Sequence, residues 1–218
     1  MKRLHKTTNN NRKHFSPATL FIAILIGLIT TYLFSPGMDE SKKMQRQISE
    51  KIIRFHVRAN SDSDEDQALK LKVKDNVVAY LKDAMKASDS KTDSITYIKE
   101  HLDDITDIAD ATIKNEGYNY KATAYMTNEF FPTKVYGDVT IPCGNYDAFR
   151  IDIGSSGGQN WWCVLFPPLC FVEGSYGIAT DESKMLLKNV LDEDEFNYIS
   201  DASSKNVTFD FKFLSLFR

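Results

Sequence analysis

Trp161-Trp162-Cys163-Val164-Leu165-Phe166-Pro167-Pro168-Leu169-Cys170-Phe171 is the densest aromatic and apolar run outside the N-terminus. Proline brings no N–H to a ladder and turns the chain, so the run can be a buried strand only as far as Phe166. The reading is a strand followed by a turn. Six residues stand between Cys163 and Cys170. An extended strand, rising about 3.3 Å per residue, would hold those cysteines too far apart to bond, whereas a turn that doubles back can join them. A Cys163–Cys170 disulfide is therefore a statement about shape. Its alternative, two reduced core cysteines, belongs to a cytosolic protein, and the compartment decides between them.

The compartment is read from the N-terminus. Lys2, Arg3, Lys6, Arg12 and Lys13 come with no acid, and Ala18 to Phe34 follows as an uncharged stretch of 17 residues. As a helix that stretch is about 25 Å long, short for a bilayer span and long for a secretory apolar core. Either reading exports the remainder and leaves the basic flank on the cytoplasmic side. Around Ser35-Pro36-Gly37 no good small-x-small cleavage pattern occurs, with Leu33 where a small residue is wanted, so cleavage and retention as an anchor both stay open. Residues 1–37 are thus a signal peptide or membrane anchor, 38–51 a helical or flexible spacer, and 52–218 a single exported domain.

Charge and cysteine count narrow the function. The net charge is −3, and without the five N-terminal cations the exported part stands near −8. That argues against nucleic acid and against electrostatic docking to anionic lipid. If Cys163 and Cys170 pair, Cys143 remains as a buried thiol, an intermolecular partner or a site of alternative pairing. With no CxxC, no HExxH and no Cys/His cluster, the sequence offers no metal site and implies no cofactor.

The elements follow from periodicity. Ile53, Phe55, Val57 and Ala59 alternate with Arg54, His56 and Arg58, a half-buried strand with His56 pointing outward. Asn60 to Asp64 is a turn, and Asp64 with Gln67 fits a capping box opening a helix whose stripe is Leu69, Val73, Val77, Leu81 and Ala84. A second helix runs from about Ser94 to Gly117 on Ile95, Ile98, Leu102, Ile105 and Ala109. Tyr118 to Thr127 alternates as a strand, and Phe131 to Tyr136 is extended. Phe149, Ile151 and Ile153 then mark a strand that the Gly154 to Asn160 loop joins to the Trp161 strand as an antiparallel neighbour. Residues 181–191 and 193–199 read as short acidic helices. Val207, Phe209, Phe211 and Phe213 form a closing strand. The fold class is α+β: a mostly antiparallel sheet with two long helices on one face, preceded by the signal or anchor helix and followed by short helices and a closing strand.

Chemical motifs are weak. Asp62-x-Asp64-x-Asp66 resembles the opening of a calcium loop, but Gln67 replaces its glycine and Val73 its final glutamate, so capping explains it better. A hydrolase set can be drawn from His56 as base, Asp62 or Asp64 as its orienting acid, and Ser61 or Ser63 as nucleophile. A histidine between arginines is more simply a solvated strand face.

Three stretches carry a family resemblance: His56 to Asp75, Phe131-Pro-Thr-Lys-Val-Tyr-Gly137, and Asn160 to Val172. In that order they resemble the stage II sporulation protein R family. The resemblance implies a signal secreted from the forespore into the intermembrane space, acting on a membrane-embedded aspartic protease of the mother cell that processes the sigma-E precursor. It implies no enzyme. Cys143 departs from the family pattern, where a small residue precedes the glycine, and Gly174 to Lys205 matches least. Receptor-contact candidates are His56, Asn60, Ser61 and Asp62 at the strand-to-helix loop, and Pro167, Pro168 and Leu169. That proline turn is either a rigid apolar knob or is tucked under the closing strand as core.

Overall fold

The computed structural model describes residues 16–171 and 181–204. The chain divides into two compact units, Met1–Lys42 and Lys43–Arg218. Helix α1, Pro17–Lys51, runs through the division and includes the stretch read as a spacer. In the first unit its large apolar side chains from Leu20 to Ile29 are exposed. No helix among the described residues is long and apolar enough to cross a membrane.

The second unit is built on strand β1, Ile53–Arg58. It is followed by α2 (Asp64–Ala87), α3 (Lys91–Glu100), α4 (Leu102–Asn115), β2 (Ala122–Phe131), the short strands β3 (Lys134–Tyr136) and β4 (Val139–Ile141), β5 (Gly144–Ile153) and β6 (Asn160–Phe166). A 3-10 turn over Leu169–Phe171 and helices α5 (Asp181–Val190) and α6 (Glu193–Ser204) complete it. The four long strands lie in the order β2-β5-β1-β6, and β3 pairs with β4 as a separate hairpin.

The sheet is mixed. Two of its three pairings, β2 with β5 and β1 with β6, are antiparallel, as expected of a mostly antiparallel sheet. But β1 runs parallel to β5 and lies between β5 and β6, which corrects the reading of those two as antiparallel neighbours. Consequently β5 and β6 are not neighbours. The loop between them passes over the end of β1, where Gly157 N donates to Asn60 O at 3.1 Å and Gly158 N to Ala59 O at 3.0 Å. A Cβ on Gly158 would drive into the Ser61 carbonyl, so only glycine allows this crossing. Parallel pairing needs a long connection, and the segment carrying α2, α3 and α4 supplies it.

Both faces of β1 are covered. On one, Phe55 and Val57 pack with Leu69, Val73, Val77 and Leu81 of α2, with Ile98 of α3, and with Ile105 and Ile113 of α4. These are the stripes read from the sequence. The second helix is two helices because His101 leaves the helical region at φ −113°, ψ 19°. Its Nδ1–H bonds to Tyr97 O at 2.8 Å and its ring stacks on Tyr97, replacing continuation with a kink.

The second face, read as solvated, holds another core of Ile48, Ile52, Phe131, Val139, Ile141, Tyr146, Ala148, Val164, Leu187, Leu191 and Ile199. Ion pairs hold its cover in place: Lys51 to Asp192 at 3.0 Å and to Glu195 at 2.7 Å, and Lys184 to Asp138. Helices therefore flank both faces rather than one. The closing strand expected over 207–213 lies outside the described residues.

Cys163 and Cys170 are bonded, and Cys143 is free and exposed, not buried. A loop this short contributes on the order of 2 kcal/mol by restricting the unfolded chain. Alkylation of the native protein without reductant, read by mass spectrometry, should modify Cys143 alone; modification of all three would show the bond absent.

Candidate functional site

Alternation along β1 places Arg54, His56 and Arg58 on the second face, and the register sets His56 between Arg150 of β5 and Trp162 of β6. His56 is 1% exposed, correcting the outward orientation. Its ring stacks on Trp162 at 4.7 Å and meets the edge of Phe131 at 5.4 Å. A row of charge then crosses the sheet. His56 Nε2 meets Glu129 Oε1 at 2.6 Å, Arg150 Nη1 donates to Glu129 Oε2 at 3.1 Å, and Arg150 Nε donates to Asp152 Oδ1 at 2.8 Å. Tyr125 ends the row by donating to Asp152 Oδ2 at 2.9 Å.

Because a carboxylate only accepts, the neutral His56 carries its proton on Nε2, and its Nδ1 is buried without a partner. Burial lowers the pKa of His56, and Glu129 opposes this only in part. The Tyr125 hydroxyl is pushed up to about 12 by burial and by its bond to Asp152.

The predicted loop residues serve the crossing at the end of β1. Asn60 Oδ1 accepts from Ser155 N at 2.9 Å and Asp62 Oδ1 from Gln159 N at 2.7 Å. Ser61 Oγ and Asn60 Nδ2 both donate to Asp66 Oδ2, at 2.5 and 2.9 Å. The cap of α2 is Ser63, accepting from Asp66 N, and not Asp64; Gln67 instead donates to Ser61 O. The drawn hydrolase set is thus not brought together: Ser61 faces Asp66 while His56 faces Glu129. The loop also carries Gly154-Ser-Ser-Gly-Gly158, a Gly-x-Ser-x-Gly pattern that the sequence reading missed, with Ser156 at φ 49°. It joins strand to strand rather than strand to helix, so it lacks the setting of a nucleophile elbow. No group of acidic, histidine or cysteine side chains among the described residues could hold a metal ion.

The proline turn is not a knob. Pro167 and Pro168 are buried and Leu169 is half-buried against the second core, because the Cys163–Cys170 bond folds the turn back on β6. Exposed apolar side chains stand instead at Phe130, 62% exposed, and Val135, 58% exposed, on either side of the entry to β3. The helix layer packs on β2 only as far as Met126, which leaves Phe130 uncovered despite its position on the helix-facing side.

Sequence reasoning also missed Arg54. It is fully buried, with its guanidinium 4.6 Å from the centre of the Phe131 ring and 5.3 Å from that of Tyr146. Nε donates to Cys163 O at 3.2 Å, and the Tyr136 hydroxyl lies close enough to the guanidinium to interact with it, although Nη1 and Nη2 make no well-aligned hydrogen bond. Burial lowers the Arg54 pKa, and no described carboxylate forms an ion pair with it. The signal was an arginine inside a strand of otherwise apolar neighbours, which period-2 reasoning assigns to solvent.

The family model described as stage II sporulation protein R matches residues 49–176, which takes in every strand of the sheet. The chain is 40% identical over 161 residues to stage II sporulation protein R of Bacillus subtilis (strain 168), covering 74% of this chain and 72% of that protein. No solved structure matches it.

Burial of His56 makes stability depend on pH. Between the folded pKa and the unfolded value of about 6.5 the unfolded chain binds the extra proton, so stability is full above about pH 6.5 and falls as pH drops through that window. Urea midpoints at pH 7 and pH 5 should differ more for the native chain than for His56→Gln. An equal loss in both would remove His56 as the source.

Proposed function

The chain belongs to the stage II sporulation protein R family, and from that premise we propose that it is a secreted intercellular signal of sporulation. In this reading it leaves the forespore through its N-terminal segment, as a secreted or membrane-anchored protein. In the intermembrane space it activates a membrane-embedded aspartic protease of the mother cell, leading to processing of the sigma-E precursor. The observation that carries the proposal is the family match across the whole sheet. A basic flank, an exposed apolar helix and a disulfide are also what an exported protein of this size needs.

Action by contact rather than turnover is supported by the side chains themselves. Ser61, Asp62 and His56 are each engaged in holding the fold, so none is poised as a nucleophile or as its base. The contact surface we propose is the paired loop formed by Asn60, Ser61 and Asp62 with residues 154–159, rigid because each loop bonds the other. Its hydrogen bonds fix the exposed Asp62 carboxylate at the rim, where an approaching partner meets it.

The test is reconstitution: purified protein is added to membranes carrying the protease and the sigma precursor, and processing is followed by gel shift. Asp62→Ala removes one partly solvated hydrogen bond, costs about 1 kcal/mol and leaves the domain folded. Processing should weaken at limiting protein and return at excess, because concentration overcomes a lost contact. Processing that stays absent at saturating, folded Asp62→Ala would point to lost chemistry instead.

A further inference from the structure

We propose that the uncovered end of the second face, around Arg58, docks an acidic segment of a partner protein. The proposal rests on the reading of the chain as a signal that acts by contact. The sheet register puts two cross-strand rows at this end. Tyr125, Arg150, His56 and Trp162 form the inner row, and Thr123, Asp152, Arg58 and Asn160 the outer one. The apolar cover stops between them: Trp162 lies at the border of the second core, and the outer row holds no apolar side chain. Arg58, Asp152 and Asn160 are accordingly half-buried, as are Tyr125, Arg150 and Trp162, and Thr123 is exposed. Tryptophan, tyrosine and arginine together on an open face are the residue types that carry the centres of protein interfaces.

Charge selects the partner. Arg150 is held between Glu129 and Asp152, and Tyr125 donates to the second oxygen of Asp152. Arg58 stands in register with Asp152 but outside this set, and it makes no hydrogen bond or ion pair among the described residues. Its Nε is buried without an acceptor, whereas Nη1 and Nη2 are not buried. Lys134 of β3 holds its Nζ 5.9 Å from the centre of the Trp162 ring and likewise pairs with no described carboxylate. Two unanswered cations thus stand near a half-buried indole. A guanidinium only donates, and its planar edge matches the two oxygens of a carboxylate, while the indole takes an apolar neighbour of that acid. An anionic lipid surface is a poor occupant, because the exported part stands at about −8 overall and is repelled by it. A protein segment meets only the local positive edge. The face also continues into the paired loop, since Asn60 lies two residues after Arg58 and Gln159 directly precedes Asn160.

Random heptapeptides displayed on phage and selected on the immobilised full chain are a probe that needs no receptor. Peptides with Asp or Glu next to an apolar residue should be enriched, and Arg58→Glu should capture them about ten-fold less. Lys134→Glu should lose several-fold, and Lys82→Glu, the same change of charge at an exposed position of α2, should match the native chain. Where Arg58→Glu fails to fold, Arg58→Gln carries the comparison with a smaller loss. No acidic enrichment, or equal capture by the Arg58 variants, overturns the proposal. So does dimerisation of the native chain that Arg58→Glu abolishes, which gives the face to a second copy. Capture that rises in Glu173→Gln, an acid outside the described residues, gives it to the chain itself and overturns the proposal too. The same variants then go to the reconstituted membranes. Arg58→Glu should need about ten-fold more protein for half-maximal processing of the sigma precursor, and should reach the native extent at excess. An unchanged requirement overturns the docking surface. Absence of processing by the native chain itself removes the signalling reading instead, and peptide capture alone then decides the surface.

Discussion

The central constraint of this molecule is that β1 is a strand with no free side. Both of its hydrogen-bonding edges are used, by β5 in parallel and β6 antiparallel, and both of its faces are buried. Phe55 stacks on Phe149 at 5.1 Å and meets the edge of Trp161 at 5.7 Å, joining three strands through one side chain. A strand placed between two others that are consecutive in sequence obliges their connection to cross its end. Glycine at 158 and the side chains of Asn60 and Asp62 make that crossing possible. The residues that look most like a site in the sequence are therefore the ones that let the topology close.

Local order was legible because it rests on periodicity. The α2 stripe, the alternation of β5, the strand-then-turn at Trp161 and the pairing of Cys163 with Cys170 all depend on neighbours within a few residues, and all are present, whereas the strand read over Tyr118 to Thr127 is shifted along the chain to Ala122–Phe131. Alternation shows that a strand has two faces but not whether the second is covered. The cover over Arg54 and His56 comes from Ile48 and Ile52, from Val139 and Ile141, and from Leu187, Leu191 and Ile199, segments scattered along the chain. The kink at His101 was hidden for a related reason: the apolar spacing continues through it, and only a side chain bonding back to Tyr97 breaks the helix. The parallel pairing of β1 with β5 leaves no mark in either strand, since both would read alike in an antiparallel sheet.

Two electrostatic regimes share the second face. Around Glu129 the charges have partners: Arg150 stands between the carboxylates of Glu129 and Asp152, neutral His56 donates to Glu129, and the charged partners keep some access to solvent. A few residues away Arg54 has aromatic faces, one carbonyl and the Tyr136 hydroxyl, and no carboxylate among the described residues pairs with it. Isolating an ion in this way costs on the order of several kcal/mol even after relaxation, and an apolar side chain of similar volume would fill the space at less cost. The disulfide and two well-packed cores give the domain the surplus to carry that expense. The stability of the fold and the placement of the buried Arg54 guanidinium are thus linked. The hairpin brings Val139 and Ile141 into the second core and Tyr136 to the Arg54 guanidinium, so one element both completes that core and contributes to the burial of its cation.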